Sequence, residues 1–311
     1  MKYSVTIPAY KAKFLKEAID SILAQTIRDF EVIILNDASP ENIDEIIDSY
    51  ADSRIRYYKN NKNVGAIDVV DNWNKLLKLS NGEFFICMGD DDKLVPNCLE
   101  EYNKLMEKYP GLAVYHARTM MIDENSNFCN LQEERPQWQS VYSLIWHYTF
   151  KEGIQFVGDF LYDTKSLRER GGFYKLPMAW GTDCITSFVA ASERGIANTQ
   201  VPIFLYRTNH FSITKSLNQR IKMQATKMYQ DWMNNFTKLV PDNNLDKKYW
   251  KLICEGFDGK IKHHEIYMVA NDIRDSLLSS VWYWLKNRKT YGLTLKDICY
   301  SLGLGIALKL K

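Results

Sequence analysis

The alternation of strand-like and helix-like segments between Tyr3 and Met88 is the feature that most constrains the fold of this chain. Short runs rich in β-branched and aromatic residues occupy 3–7, 30–35, 54–58 and 83–88, and the segments between them carry apolar residues at helical spacing. This rhythm is typical of βαβ units, and the near-continuous apolar run 30–35 is expected for a strand covered on both faces. We therefore predict an α/β fold built on a mostly parallel sheet flanked by helices.

Polar residues follow three of the predicted strands at the point where each strand ends. They are Pro8-Ala9-Tyr10, Asn36-Asp37 and Gly89-Asp90-Asp91-Asp92. Ligands of open α/β sheets bind outside the carboxyl ends of the strands. The sequence therefore predicts that Asp37 and the three consecutive aspartates face one crevice.

Composition narrows the class of protein. The 311 residues are 46% hydrophobic and 25% charged, as in ordinary globular proteins, and the formal net charge of +2 gives no electrostatic reason to expect a nucleic-acid partner. The six cysteines are scattered without a Cys-x-x-Cys pair, which indicates reduced thiols rather than a disulfide framework or a zinc site. With neither a signal-peptide pattern nor a long apolar run, we expect a cytoplasmic protein, peripheral at the inner face of a membrane at most.

Two interpretations account for Asp90, Asp91 and Asp92. Adjacent carboxylates cost stability unless a cation or strong donors occupy them. They form either a cation site at a strand end or a solvated turn that caps the helix beginning near Pro96. Mg²⁺ and Mn²⁺ prefer oxygen ligands and commonly use one or two carboxylates together with substrate phosphates. The position of the acids at the end of a strand favours the cation.

Several short motifs stand in order before these acids. They are Ile7-Pro8-Ala9-Tyr10, residues 18–22, Gln25-Thr26, residues 30–34, residues 36–39, Asn63-Val64-Gly65 and Gly82-Glu83-Phe84. Together they cover about the first 110 residues and resemble family 2 glycosyltransferases. The resemblance implies a GT-A fold, a nucleotide-sugar donor, a divalent cation (Mn²⁺ or Mg²⁺) and inversion at the anomeric carbon.

The same resemblance implies how the chain is organised and what it does. Residues 1–115 form the nucleotide-sugar-binding half of a GT-A domain, residues 116–215 its acceptor-binding half, and residues 216–311 a helical C-terminal extension. The implied reaction moves a hexosyl or N-acetylhexosaminyl group from a UDP-sugar to a hydroxyl of a glycan or lipid-linked glycan, in cell-surface polysaccharide synthesis. The alternatives are a catalytically impaired nucleotide-sugar-binding or scaffold protein and a sugar nucleotidyltransferase. The latter would require a glycine-rich phosphate loop, and residues 5–14 contain no glycine.

The acids of this family usually read Asp-x-Asp, often with a further Asp and then a proline four residues later. Alignment on Pro96 makes Asp91 the second motif acid and places Gly89 where the first commonly stands, a departure that some members share. The resemblance implies that Asp91 binds the metal and that Asp90 contacts the ribose or the metal's water shell. It implies that Asp92 positions donor hydroxyls.

Asp37 resembles the family acid that accepts a hydrogen bond from the nucleobase, typically the uracil N3–H. A carboxylate only accepts, so it selects a base with an N–H at that edge. An Asx-turn before Pro40 is the alternative. Pro8, Ala9 and Tyr10 resemble the wall of the base pocket, where Tyr10 is either a stacking surface or an ordinary turn tyrosine.

Inversion requires a base that deprotonates the acceptor hydroxyl as it attacks the anomeric carbon. The family's base is an Asp at a helix start after a Gly-Gly-Phe-like segment, and Asp183, after residues 171–173, resembles it. Thr182 stands where some members carry a further acid, so the match is partial. The alternative is that Asp183 only stabilises the first turn of a helix. Trp180 either lines the acceptor pocket or packs in the core.

The segment 206–214 resembles the family's segment after the last core strand. It implies that His210 approaches the metal or the diphosphate and that Arg207 contacts phosphate in the donor or acceptor pocket. A solvated loop histidine is the alternative for His210.

After about residue 216 the sequence looks wholly helical, and its aromatic residues at helical spacing are most simply packing residues. The final residues 302–311 combine leucines with lysines. They form either a basic amphipathic segment that contacts a membrane surface or a helix that packs against the rest of the chain or dimerises. Dimerisation would give a homo-oligomer.

Overall fold

Strands and helices alternate through the first part of the computed structural model, as the sequence predicts. The structure describes residues 1–151, 153–208 and 218–310, so the predicted metal ligand His210 lies outside the described residues. The described residues fall into two units. The first unit holds residues 1–175 and the described part of 182–209, and the second holds 176–181 and the described part of 210–311.

The first unit is built on one sheet, to which the described residues contribute ten strands. The strands of the regular N-terminal part are β1 (Tyr3–Ala9), β2 (Phe30–Asn36), β3 (Ile55–Lys59) and β4 (Phe84–Cys87). The later strands are β5 (Lys93–Leu94), β6 (Val114–Ile122), β7 (Phe128–Leu131), β8 (Trp138–Gln139), β9 (Phe160–Asp163) and β10 (Ile196–Arg207).

The sheet is parallel in its first half and mixed in its second half. Its order is β3-β2-β1-β4-β9-β6-β10-β5, with β7 paired to β6 and β8 to β10. The first four strands of this order run parallel, as predicted, and so do β6 and β10. β9 runs antiparallel to both β4 and β6. Parallel neighbours need a long crossover, whereas connections such as the short one from β6 to β7 return the chain antiparallel.

Helices flank this sheet and bury its central strands. They are α1 (Leu15–Leu23), α2 (Ile43–Asp48), α3 (Val69–Leu79), α4 (Cys98–Lys108), α5 (Val141–Phe150), α6 (Thr164–Glu169) and α7 (Thr182–Ala191). Every residue of β2 is buried, which explains its near-continuous apolar sequence. Glu31 interrupts this apolar run, and its carboxylate accepts hydrogen bonds from the Ser4 hydroxyl and the Asn81 amide, both at 2.6 Å. A buried charge is tolerated here because strong donors satisfy it.

Two later strands run through residues that interrupt the apolar pattern. β6 is continuous although His116 and Thr119 interrupt its apolar pattern, and both residues are buried. β10 begins at Ile196 and includes the polar residues 198–200, and its register with β6 shifts at Pro202. A proline without an N–H is tolerated in a strand at such an irregularity.

The second unit is helical in its described residues. It contains a 3-10 turn (Pro177–Ala179) and the helices α8 (Gln219–Phe236), α9 (Asn244–Asp275), α10 (Leu277–Asn287) and α11 (Leu295–Lys309). α11 packs closely on α9, because a Cβ on Gly305 would lie 2.7 Å from the Ala270 carbonyl oxygen. Among the described residues, no helix combines the length and the apolar character needed to cross a bilayer.

Candidate functional site

The three aspartates lie in the turn between β4 and β5, at the carboxyl edge of the parallel strands. Asp90 ties this acidic turn (Gly89 to Asp92) to the end of β1. Its Oδ2 accepts hydrogen bonds from the amide groups of Tyr10 and Lys11, each at 2.7 Å. Burial and the neighbouring Asp91 charge raise the pKa of Asp90 to about 6, although the two amide donors oppose the shift.

Asp92 is the most buried acid of the turn. It is 4% exposed, and its Oδ1 accepts a hydrogen bond from the Arg207 amide at 2.9 Å. Burial and the Asp91 charge raise the pKa of Asp92 well above its ordinary value. Because adjacent carboxylates in a buried place disfavour their charged forms, a cation among them would lower the cost of keeping them ionised.

Gly89 stands where the family that the sequence resembles commonly has an acid, and the side chains around it leave little room for a Cβ. A Cβ at this position would lie 2.8 Å from the Asp92 Oδ2 and 2.9 Å from the Asp91 Oδ1. One carboxylate oxygen of Asp91 and one of Asp92 therefore both lie close to the position that a Cβ of Gly89 would occupy. A larger residue would have to displace these two oxygens, so Gly89 helps to define the shape of the acidic turn.

The buried side chain of Arg207 holds the acidic turn in place through hydrogen bonds and an ion pair. Its Nε donates to the Asp91 carbonyl oxygen at 2.8 Å, and its Nη1 donates to the carbonyl oxygens of Asp123 and Glu124 at 3.0 and 3.1 Å. Its Nη2 pairs with the Glu17 carboxylate at 2.9 Å, and its side chain is 0% exposed. These contacts indicate a positioning role. The phosphate contact suggested by the sequence stays a prediction, and the buried guanidinium does not support it.

Asp37 is placed beside the acidic turn by pairing of β1 with β2. Its amide donates to the Ala9 carbonyl oxygen at 2.9 Å. Its Oδ1 accepts from the Asn60 side chain at 2.8 Å and from the Val64 amide at 3.1 Å. Its Oδ2 makes a longer contact of 3.3 Å with the same amide. Asp37 thus positions the loop 60–65, and Oδ2 retains capacity to accept a further hydrogen bond.

Of the three residues predicted to line the base pocket, Tyr10 alone presents a large exposed surface. Its side chain is 42% exposed, whereas Ala9 is fully buried in the core and Pro8 is intermediate. The Ser39 hydroxyl donates to the Tyr10 carbonyl oxygen at 2.6 Å, which links this residue to the segment after β2. The structure therefore brings Pro8, Ala9, Tyr10, Asp37 and the acidic turn to one edge of the sheet.

The acidic turn fits a divalent cation that shares its coordination with a phosphate ligand. The described residues contain no group of three or more His, Cys, Asp or Glu side chains that could hold a metal ion by themselves. Mg²⁺-type sites need only one or two carboxylates, because water and substrate phosphates complete the shell. The crowded oxygens beside Gly89 and the raised pKa values of Asp90 and Asp92 match such a site.

Asp183 occupies the first turn of α7, as predicted, and is partly buried. The Cys184 thiol donates to its Oδ1 at 3.7 Å. A carboxylate at a helix N-terminus is ordinarily favoured in its charged form. Here burial, with the charge of Asp159 as the next cause, raises the pKa of Asp183 to about 7. A carboxyl group of this kind can exchange a proton near neutral pH.

Asp159 is a functional candidate that sequence reasoning missed. It is fully buried, lies 3.3 Å from the His116 Nε2, and accepts hydrogen bonds from Thr119 and Gln132 at 3.2 and 3.0 Å. It immediately precedes β9, which runs antiparallel to β4, so it lies at the edge where β4 leads into the acidic turn. The signal in the sequence is an aspartate directly before a short apolar run, Phe160-Leu-Tyr.

Trp180 belongs to the second unit. Its ring stacks on His264, with ring centroids 5.9 Å apart and an angle of 11° between the planes. The Lys222 Nζ lies 4.8 Å from its ring centroid. Trp180 is therefore a packed, partly exposed indole flanked by basic side chains, and its predicted role in an acceptor pocket stays a prediction.

Comparison with known proteins agrees with the fold and with the motifs. The profile of Glycosyl transferase family 2 matches residues 4–195. An uncharacterized glycosyltransferase of Methanocaldococcus jannaschii is 31% identical over 53% of this chain and 57% of its own length. Glycosyltransferase GlyG of Streptococcus pneumoniae is 31% identical over 34% of this chain and 35% of its own. The chain thus matches only part of the length of these relatives.

Solved structures extend the likeness to the whole chain. TarS 1-349 of S. aureus in complex with UDP-GlcNAc superposes with a TM-score of 0.64 and 15% identity, covering 100% of this chain and 92% of that one. The mannosyltransferase PcManGT of Pyrobaculum calidifontis in complex with GDP-Man and Mn²⁺ gives 0.58 and 13%, covering 99% and 87%. At these identities the likeness concerns the fold, and it confirms the predicted GT-A type. Because the family profile covers more than half of the sequence, the chain belongs to glycosyl transferase family 2.

Proposed function

We propose that this chain is an inverting, metal-dependent glycosyltransferase that moves a sugar from a UDP-sugar to a hydroxyl group of a glycan in cell-surface polysaccharide synthesis. The observation that carries the proposal is the meeting of Tyr10, Asp37 and the acidic turn at one carboxyl edge of the sheet. The Tyr10 amide donates a hydrogen bond to the Asp90 carboxylate at 2.7 Å, and the Asp37 amide donates one to the Ala9 carbonyl oxygen at the end of β1 at 2.9 Å. Ligands of open α/β sheets bind at this edge.

The donor nucleotide binds between β1 and β2 in this proposal. The Asp37 carboxylate accepts a hydrogen bond from the base, and the exposed Tyr10 ring stacks on it. The UDP-GlcNAc bound to TarS supports a UDP-sugar donor, and the GDP-Man bound to PcManGT makes a GDP-sugar the competing donor. The transferred group is accordingly a hexosyl or an N-acetylhexosaminyl group.

The acidic turn would hold the divalent cation. Asp91 is the assigned ligand, Asp90 contacts the ribose or the water shell of the cation, Asp92 positions donor hydroxyls, and His210, outside the described residues, is a further assigned ligand. When bound, Mn²⁺ or Mg²⁺ offsets the negative charge that develops on the departing nucleoside diphosphate. The Mn²⁺ complex of PcManGT supports this cation. Arg207 and Gly89 keep the carboxylates in place for it.

Asp183 accepts the proton of the acceptor hydroxyl in this mechanism. A base with a pKa of about 7 is largely ionised just above neutral pH and still attracts a proton strongly, which suits general-base catalysis. Attack from the face opposite the diphosphate inverts the anomeric carbon. Trp180 lines the acceptor side, and the acceptor is a glycan or lipid-linked glycan.

The reaction takes place in the cytoplasm in this proposal. The cysteines of the described residues are free thiols, which suit a reducing compartment.

Donor hydrolysis tests the proposal. The purified chain with Mn²⁺ should slowly hydrolyse a UDP-sugar, and Asp91→Ala should abolish that activity while the protein stays folded. Asp183→Asn should keep the thermal stabilisation by UDP and Mn²⁺ but lower acceptor-dependent transfer by about 10²–10⁴-fold. The matched control is Asp48→Asn, an exposed aspartate at the end of α2. Turnover of UDP- or GDP-sugars that is independent of metal, or equal in Asp91→Ala and the parent, would contradict the assignment.

Gly89 and Thr182 leave room for one alternative, a nucleotide-sugar-binding protein that lacks catalytic activity. Gly89 stands where the first motif acid commonly stands, and Thr182 stands where some members carry a further acid. The two functions differ in a single outcome. A binding protein is stabilised by UDP and Mn²⁺ yet neither transfers the sugar nor hydrolyses the donor.

A further inference from the structure

Helix α10 carries an exposed apolar face. Leu278, Trp282 and Leu285 are 85, 64 and 41% exposed, and their spacing places them in one row along the helix. The opposite face of α10 is anchored, because Trp284 is fully buried and its Nε1 donates to the Asp272 Oδ2 at 2.9 Å. The row Leu278, Trp282 and Leu285, named here the α10 stripe, is therefore the outer side of a firmly packed helix.

Basic side chains outnumber acidic ones in the segment that carries the α10 stripe. Among the described residues 274–310 the basic side chains are Arg274, Lys286, Arg288, Lys289, Lys296 and Lys309, and the acidic ones are Asp275 and Asp297. Arg274 and Asp275 pair with each other at 3.0 Å. Lys286 lies against the stripe, with its Nζ 4.9 Å from the Trp282 ring centroid. The Asp297 carboxylate accepts a hydrogen bond from the Thr294 amide at 2.8 Å and lies 3.5 Å from the Lys262 Nζ. The acid is thus neutralised locally, and the segment presents excess positive charge.

We propose that the α10 stripe docks on the surface of an anionic lipid bilayer. A helix that exposes leucines and a tryptophan beside lysines can place the indole at headgroup level and the leucines at the acyl boundary. Lysines near an anionic surface each raise partitioning by roughly five-fold. Apolar contact and charge act together here, and each alone would give weak binding.

The charge of the segment favours a lipid surface over a second copy of this chain. If two α10 helices paired in parallel through the stripe, Lys286 of one copy would lie beside Lys286 of the other, and like charges in an interface are costly. A soluble anionic glycan would satisfy the lysines but would leave Leu278 in water. An anionic bilayer satisfies both parts of the surface. This inference does not depend on the proposed transferase activity.

The test is co-sedimentation of the full chain with lipid vesicles. We expect binding to vesicles that contain phosphatidylglycerol, weaker binding to pure phosphatidylcholine vesicles, and loss of binding as salt increases. Leu278→Ser and Trp282→Ala should each lower the partition coefficient about ten-fold. Lys286→Glu should lower it about 25-fold, because it removes one positive charge and adds a negative one.

The matched control is Leu239→Ser. Leu239 is 75% exposed in the same unit, but it lies outside α10 and α11. This variant should bind vesicles as the parent does, and the melting temperature of every variant should stay close to that of the parent. Donor hydrolysis without lipid should be the same for Leu278→Ser and the parent, so loss of vesicle binding is read independently of catalysis.

Three results would overturn the proposal. The parent chain fails to bind phosphatidylglycerol vesicles, or Leu278→Ser and Leu239→Ser bind them equally, or light scattering shows a dimer that Leu278→Ser converts to a monomer. The last result would identify a second copy of the chain as the occupant of the stripe.

Discussion

Asp183→Asn should remove catalysis and at the same time stabilise the protein, and the gain in stability should depend on pH. Because the pKa of Asp183 is raised in the folded state, from 3.8 to about 7, folding favours its protonated form. Above pH 7 the folded protein must carry a charge that its surroundings disfavour, whereas the unfolded chain carries it in water. The stability of the parent is therefore lost progressively as the pH rises from the unfolded pKa through the folded one. A neutral asparagine avoids this loss.

The size of the effect follows from the pKa difference. A difference of about three units corresponds to about 4 kcal/mol at most when the carboxyl group is fully ionised. Roughly half to two thirds of this accumulates between pH 5 and pH 8. Because the side chain is only partly buried, solvent screening reduces the effect, and we expect Asp183→Asn to gain about 1–2 kcal/mol more stability at pH 8 than at pH 5. This equals a difference in Tm shift of about 2–8 °C.

Thermal unfolding of the parent and of Asp183→Asn at pH 5 and pH 8 measures the effect, with Asp48→Asn as the control on an exposed aspartate. We expect a gain that is larger at pH 8 for Asp183→Asn and no such difference for the control. A gain that is equal at both pH values would show that the pKa of Asp183 is not raised. Normal acceptor-dependent turnover of Asp183→Asn would instead refute its role as the base, and the two results are independent.

Three further predictions concern the surroundings of the site. Asp159→Asn removes the buried charge that helps to raise the pKa of Asp183, so the rising limb of the pH–activity curve should move about one unit lower; an unchanged midpoint would leave burial as the sole cause. Gly89→Ala places a Cβ against the two carboxylates and should weaken Mn²⁺-dependent stabilisation by UDP at least about ten-fold, whereas Gly303→Ala, at an open helical position, should leave it unchanged. Arg207→Lys loses the forked contacts with three carbonyl groups, and we expect a loss of about 2–4 kcal/mol in denaturant unfolding; a loss below about 0.5 kcal/mol would contradict its positioning role.

The first four strands and their helices could be predicted because their signals are local. Apolar spacing distinguishes β2 from α3, for example, without knowledge of any partner strand. The position of the acidic turn followed from the same reasoning, since strands joined by helical crossovers end at one edge. The helical character of the described residues after 218 was also predictable, from the helical spacing of their aromatic residues.

The second half of the sheet was less predictable, because its polar residues are satisfied by distant partners. Thr119 lies inside β6 and donates to Asp159, forty residues later in the chain. Such a residue looks like a loop residue until its partner is known. The antiparallel position of β9 next to β4 is likewise a property of long-range packing, which periodicity does not encode.

Within the candidate site, residue types were evident from the amino-acid order, whereas their directions and surroundings depended on tertiary contacts. Three consecutive aspartates after a strand already predict a cation site. Only packing shows that Gly89 makes room for their oxygens and that the Arg207 guanidinium is buried beneath the turn. The raised pKa of Asp183 has the same origin, because burial and the charge of Asp159 arise only when distant segments meet. Chemical identity is a local property of the chain, while solvation, charge proximity and side-chain direction are created by the fold.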